Sequence, residues 1–189
     1  MRLRLEAADV GAALRERCST DIAGMNTLID SVLEVFRPDA PTAQTAATRI
    51  DLAALAQSAV DDLADAGADV AFEGPTVVIT ARPLPLRRVL DNLIGNALRY
   101  AGHARVRLEH DALATVLAVE DNGPGIPQAE LERVLQPFRR VERSRNPATG
   151  GTGLGLYIAN ELARREGATL SLHNRPQGGL RAELRWRAG

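Results

Sequence analysis

Over residues 12–37 the apolar side chains Cys18, Ile22, Met25, Ile29, Val32 and Phe36 recur at spacings of 4, 3, 4, 3 and 4. That heptad rhythm places every apolar group on one stripe of a helix, as a bundle or coiled coil requires. An amphipathic helix packed on its own domain would satisfy the same pattern. Residues 1–6 read as the frayed end of a preceding helix, with Gly11 at a turn. The rhythm stops at residues 38–48, PDAPTAQTAAT, where two prolines and small polar residues without a period predict a linker and a domain boundary.

Beyond the linker the periods change. Residues 49–50 predict a short strand, and Asp51 suits the N-cap of a helix over 52–66 that Gly67 stops. β-Branched and aromatic runs at 70–72 and 76–80, around Gly74 and Pro75, predict two strands. Pro83-Leu84-Pro85 opens a helix running to about Tyr100. On its wheel Leu86, Val89, Leu90, Leu93, Ile94 and Ala97 share a core face, while Asn92, Asn96, Arg99, Tyr100 and His103 form a polar strip beside it. Asparagine is a mediocre helix former, and a solvated face more often carries Glu or Lys. Two asparagines one turn apart at an apolar edge therefore make the strip a candidate ligand face, with a solvated face as the alternative.

Residues 104–110 and 114–120 predict two strands around an Asp111-Ala112 turn. The second runs directly into Asp121-Asn122-Gly123-Pro124-Gly125-Ile126-Pro127. A carboxylate at a strand end can accept a hydrogen bond from a ligand amine, and glycines beside it let the backbone approach a flat ring; an ordinary turn is the bland alternative. Residues 128–135 predict a short helix opened by Pro127. Residues 137–149 are polar, basic and aperiodic, long enough for a lid, and Arg139, Arg140, Arg143 and Arg145 could answer phosphate charge. This loop enters Gly150-Gly151-Thr152-Gly153-Leu154-Gly155-Leu156, ahead of a helix over 154–166 closed by Gly167. A helix N-terminus offers free N–H groups to an anion, which suggests a phosphate site, but the spacing fits neither the dinucleotide fingerprint nor the P-loop. Strands over 168–173 and 180–187, turning at Pro176-Gln177-Gly178-Gly179, end the chain.

Composition narrows the choices. A length of 189 residues suits one ordinary domain plus an appendage. Lys and Arg number 23 against 24 Asp and Glu, so the net charge of −1 offers no case for nucleic acid or an anionic membrane. The apolar runs fall short of the roughly 18–20 residues of a membrane helix, and no signal peptide opens the chain, so a soluble, reduced, intracellular domain is expected. Cys18 stands alone, which excludes an intramolecular disulfide, and His103, His110 and His173 have no metal-ligand spacing. With aromatics at 3%, aliphatic side chains must build the core.

In order along the chain, Asn92-x-x-x-Asn96-x-x-Arg99-Tyr100, Asp121-x-Gly123-x-Gly125, Phe138 and Gly151-Thr152-Gly153-Leu154-Gly155 resemble the N, G1, F and G2 boxes of a sensor histidine kinase, within the GHKL ATPases. The run 135–140 followed by 151–156 is closest to osmosensor kinases of the EnvZ type, and residues 12–37 are similar to the second helix of the dimerisation and histidine-phosphotransfer hairpin. The resemblance implies an α/β class, α+β two-layer sandwich, with a mixed five-stranded sheet and three helices behind a long amphipathic helix. It divides the chain into a partial hairpin at 1–37, a linker at 38–48 and a catalytic ATP-binding domain at 49–189. It further implies ATP and Mg²⁺ as cofactors, with Asn96 ligating the metal and Asn92, Arg99 and Tyr100 on the phosphate and ribose side. Asp121 would take the adenine amine, Gly123, Gly125 and Ile126 would lie along the ring, Phe138 and Arg140 would form the lid base, and Thr152, Gly153, Leu154, Gly155 and Leu156 would offer amides to the phosphates.

The family's phosphoacceptor histidine lies in a motif that this chain lacks. The resemblance therefore implies a portion beginning after that histidine, unable to autophosphorylate alone and containing no catalytic residue of its own. The implied partners are the histidine-bearing helices of its own kinase and a response regulator. The longer protein would be a homodimer, with this portion cytoplasmic and a membrane anchor elsewhere. Another GHKL ATPase or serine kinase, or a non-catalytic nucleotide-binding module, are the competing readings.

Overall fold

A computed structural model describes residues 46–139 and 153–187. The predicted heptad helix, most of the linker, and Arg140, Gly150, Gly151 and Thr152 lie outside the described residues.

The chain enters through β1 (Thr48–Asp51), which pairs antiparallel with β3 (Val78–Ala81), Ile50 opposite Ile79. Between them run α1 (Leu52–Asp65) and β2 (Asp69–Glu73). Asp51 caps α1 as predicted: its carboxylate accepts the N–H groups of Ala53 at 2.9 Å and Ala54 at 3.2 Å, orphan donors at any helix start. α2 (Pro83–Ala101) carries prolines in its first turn, where no intrahelical N–H bond is lost, and ends at Gly102 in the left-handed conformation. Next come β4 (His103–His110), β5 (Ala114–Glu120), α3 (Gly155–Arg165), β6 (Thr169–Asn174) and β7 (Leu180–Arg187).

Five strands form one mixed sheet in the order β2-β4-β5-β7-β6. The β2–β4 pair is parallel, because α2 crosses between them; the other three pairs are antiparallel. The helices cover one face: α1 rests on β2 and β4, α2 on β4 and β5, α3 on β6, and α2 touches both other helices. This is the two-layer sandwich with a mixed five-stranded sheet and three helices that the motifs imply. The six residues expected on the core face of α2 are all buried. Leu90 and Ile94 are fully enclosed, each contributing about 1.5–3 kcal/mol by leaving water.

Register explains the other face. Val106, Leu117 and Leu184 point into the helix layer, so their neighbours Arg107, Ala118 and Glu183 point away from it. On that open side Glu120 pairs with Arg181 at 2.5 Å and lies 3.5 Å from both Arg107 and Arg175. Arg181 also reaches Glu109 and Glu183, and Arg185 reaches Glu183. Burial opposes the charge of Arg181, but its three carboxylate partners outweigh burial and raise its pKa. Burial likewise opposes ionisation of Glu183, yet bonds from Arg185 and Arg181 hold its carboxyl below the usual range. Ala118 and Val116 remain buried within this charged face, so every residue of β5 is buried although the described helices cover only one side of the sheet.

Two local readings are corrected. Residues 128–135 form no α-helix but two short 3₁₀ turns, Gln128–Glu130 and Arg133–Leu135; neither has a side-chain cap, and one turn of i→i+3 bonds is all that so short a run sustains. His103 does not continue the polar strip of α2, because Gly102 reverses the chain and makes His103 the first residue of β4. Elsewhere, Arg82 at the start of α2 binds buried Glu166 at the end of α3, through its guanidinium at 2.7 Å and its own N–H at 2.8 Å. This ion pair links the two helices.

Candidate functional site

The polar strip lies along α2. Asn92 and Asn96 are half-buried at the edge of its core face, while Arg99 and Tyr100 are exposed. The Asn92 amide donates to the Arg88 carbonyl at 2.9 Å, and its oxygen, without a partner among the described residues, faces α3. There Gly155 packs so closely that an added β-carbon would sit 3.1 Å from Asn92 Oδ1. The first and last of the predicted boxes are thus brought together by the packing of α2 on α3.

Asn96 has no side-chain hydrogen bond among the described residues, so its amide oxygen is available. That oxygen is a neutral, hard donor of the kind Mg²⁺ accepts, alongside waters and phosphate oxygens. A single amide oxygen suits an ion that keeps most of its other ligands, and no cluster of three His, Cys, Asp or Glu occurs among the described residues. Between the asparagines sits Gly95, which sequence reasoning missed. A glycine inside a helix costs about 0.5–1 kcal/mol relative to alanine, and here nothing lies within 4 Å of where its β-carbon would be. Packing among the described residues gives no reason for it; open space along the strip is its effect.

Asp121 follows β5 directly. Glu120 turns toward the open face, so alternation sends Asp121 toward the helices, and it is buried at 6% exposure. Its Oδ1 accepts two backbone N–H groups, from Gly123 at 2.8 Å and Leu180 at 3.1 Å. Oδ2 has no partner among the described residues. One oxygen thus anchors the carboxylate and the other is left as an acceptor. Gly123 presses the loop against the end of α2: a β-carbon there would lie 3.3 Å from the Tyr100 carbonyl and from the Ala101 side chain. The strip and the Asp121 loop therefore meet at Tyr100 and Ala101.

Gly125 has φ +69° and its neighbour Ile126 is held by Asn174. Asn174, Arg175 and Gly179, all in the β6–β7 hairpin, touch this loop, and none was among the predicted site residues. A turn rich in Asn, Pro and Gly reads as an ordinary hairpin; only its position beside Asp121 distinguishes it.

The two sides of the predicted lid are joined at its base. The Phe138 N–H donates to the Gly153 carbonyl at 3.0 Å. Phe138 is 65% exposed and holds φ +61°, the single non-glycine residue with positive φ among those described. Beyond Gly153, Leu154 is buried at the start of α3 and provides no side-chain cap. The first N–H groups of the helix, at Gly155 and Leu156, thus lack a side-chain cap, an arrangement that suits an anion. His103, His110 and His173 sit in strands, His110 on Thr115 at 2.9 Å and His173 on Ser171 at 3.2 Å.

Residues 81–189 match the family described as Histidine kinase-, DNA gyrase B-, and HSP90-like ATPase. The chain is 35% identical over 186 residues to the sensor histidine kinase GtrS of Pseudomonas aeruginosa, covering 98% of this chain and 38% of that protein. It is 34% identical over 193 residues to the sensor protein RstB of Escherichia coli, covering 98% and 44% respectively. The chain thus spans less than half the length of these curated relatives. Among solved structures, the ATP binding domain of PrrB from Mycobacterium tuberculosis superposes with a TM-score of 0.63 at 29% identity, over 76% of this chain and 98% of that one.

Proposed function

The chain belongs to the histidine kinase-, DNA gyrase B- and HSP90-like ATPase family, and from that premise we propose that residues 49–189 bind ATP with Mg²⁺ as the catalytic domain of a sensor histidine kinase. The observation that carries the proposal is Asp121: a buried carboxylate with one oxygen accepting two backbone amides and the other without a partner among the described residues, at the end of a strip of asparagines. Such an oxygen is matched to the exocyclic amine of adenine, which guanine does not present at that position.

In this reading Gly123, Gly125 and Ile126 lie along the ring, and Asn92, Arg99 and Tyr100 line the ribose and phosphates. Asn96 would hold a magnesium ion through its amide oxygen, and the chemistry that ion would supply is neutralisation of phosphate charge. The amides of Thr152, Gly153, Leu154, Gly155 and Leu156 would serve the phosphates, and Phe138 and Arg140 would form the lid base. The chain's task is positioning and charge compensation, which is most of what phosphoryl transfer asks of a protein.

The γ-phosphoryl would pass to a histidine on the hairpin helices of the same kinase and thence to a response regulator. His103, His110 and His173, which lie in strands of this domain, match no acceptor motif of the family and are not proposed for that role. The longer protein would be a membrane-anchored homodimer with this portion in the cytoplasm. Calorimetric titration with ATP and Mg²⁺ is the direct test: saturable binding is expected, and Asn96→Ala should remove the Mg²⁺-dependent part of the affinity while leaving thermal stability within about 0.5 kcal/mol, as for a surface change without lost contacts. A folded chain that binds no nucleotide would refute the reading.

A further inference from the structure

Residues 121–126 contain two glycines and make one hydrogen bond among themselves, from Gly123 to Asp121 Oδ1. Among the described residues their other hydrogen bonds run to the β6–β7 hairpin. Asn174, some 48 residues away in sequence, grips both backbone groups of Ile126: its Oδ1 accepts the Ile126 N–H at 2.9 Å, and its Nδ2 donates to the Ile126 carbonyl at 2.6 Å. That is the pair of bonds one strand residue gives another, supplied here by a side chain. Arg175 Nη1 donates to the Asp121 carbonyl at 2.6 Å, and its Nη2 lies 3.5 Å from buried Glu120. The turn is closed by bonds from Arg175 to Gly179 and from Gly178 to Arg175, each 3.0 Å. Gly179 in turn lies against the Asp121 backbone with no room for a β-carbon.

We propose that Asn174 and Arg175 are the positioning residues of the base-recognition loop, so that selectivity for adenine is set from the β6–β7 turn. A glycine-rich loop is conformationally loose by itself, whereas discrimination between bases needs the free oxygen of Asp121 held to within about half an ångström. Arg175 fixes the Asp121 carbonyl from the side away from the helices, and Asn174 fixes the far end of the loop at Ile126. Neither side chain needs to touch the nucleotide.

The inference rests on the ATP reading above, and the test separates the two. The full chain and the variants Asn174→Ala, Arg175→Met and Arg175→Lys are titrated with ATP, GTP and tripolyphosphate in the presence of Mg²⁺. The expected result is at least a fivefold fall in the preference for ATP over GTP in Asn174→Ala and Arg175→Met. Tripolyphosphate affinity should stay within twofold of the parent chain, and Arg175→Lys, which keeps a charged donor, should recover most of the preference. A merely structural role would weaken all three ligands together, and that outcome, or an unchanged preference, overturns the inference. If the parent chain binds none of the three, the nucleotide reading itself fails. Amide hydrogen exchange on the parent chain adds a measurement that needs no variant: the Ile126 N–H should be strongly protected, and exchange at the rate of an open loop would also overturn the proposal.

Discussion

Gly179 lies so close to the backbone of Asp121 that any β-carbon there would collide with the Asp121 carbonyl group. Its neighbour Gly178 has nearly the same φ, +96° against +93°, but open space around it. The pair separates two penalties that usually come together. Gly178→Ala should cost the left-handed strain alone, about 1–2 kcal/mol. Gly179→Ala should cost distinctly more, because the backbone of the loop must also move. Urea denaturation of both variants checks this, and equal losses would contradict it.

Asp121→Asn should divide affinity from stability. The new side chain can still present an oxygen to the N–H groups of Gly123 and Leu180, so the fold should lose little. The free oxygen becomes an amide donor facing another donor, and ATP affinity should fall at least about tenfold, near 1.4 kcal/mol. Asp121→Ala should damage both, because two backbone N–H groups lose their acceptor at about 1–3 kcal/mol each. Calorimetric titration beside thermal unfolding distinguishes the cases.

Gly95→Ala should act in opposite directions on the two measurements. Replacing glycine inside a helix normally stabilises it by about 0.5–1 kcal/mol, and no described atom obstructs the added methyl. The same methyl would stand on the strip between Asn92 and Asn96, where the nucleotide is proposed to lie. A higher melting temperature with weaker ATP binding is expected; a higher melting temperature with unchanged binding would place the nucleotide elsewhere.

Acid should loosen the open face of the sheet through Glu183. Its carboxyl titrates below the usual 4.5, with burial working against ionisation and the bonds from Arg185 and Arg181 prevailing. A depressed folded pKa means that the ionised group contributes stability fully above the unfolded value, and that this contribution is lost as pH falls through the folded one. Glu183→Gln should therefore be less stable than the parent chain at pH 7, with the gap narrowing below about pH 4.5. Urea midpoints from pH 7 to pH 3 test this; a constant gap would show that the pair of arginines does not depend on the charge.

Much of the scaffold was legible in one dimension because its determinants are local. The period of α2 placed six core residues correctly, and Asp51 announced its cap by being the kind of residue that satisfies orphan N–H groups. The boxes were legible for a related reason: asparagines in a helix and glycines after a strand-end aspartate are costly choices that local structure does not explain. Where local preference was weak the reading failed. Residues 128–135 have no cap to hold a helix and settle into two 3₁₀ turns, and Gly102 ends the helical strip before His103, which opens β4.

The sequence alone determined most of the elements, the core face of α2 and the residues with chemistry to offer, since periodicity, capping and backbone freedom are properties of neighbouring residues. Tertiary structure decided what those residues do together. Only the packing of α2 on α3 brings Asn92 to Gly155, and only the β5–β7 register sets the β6–β7 turn beneath Asp121. Asn174 and Arg175 carry no distinguishing pattern in the chain; their importance comes from bonds spanning 48 and 54 residues, which no local rule encodes. The free oxygen of Asp121 has the same origin, because its partner oxygen is occupied by an amide from a strand 59 residues further along.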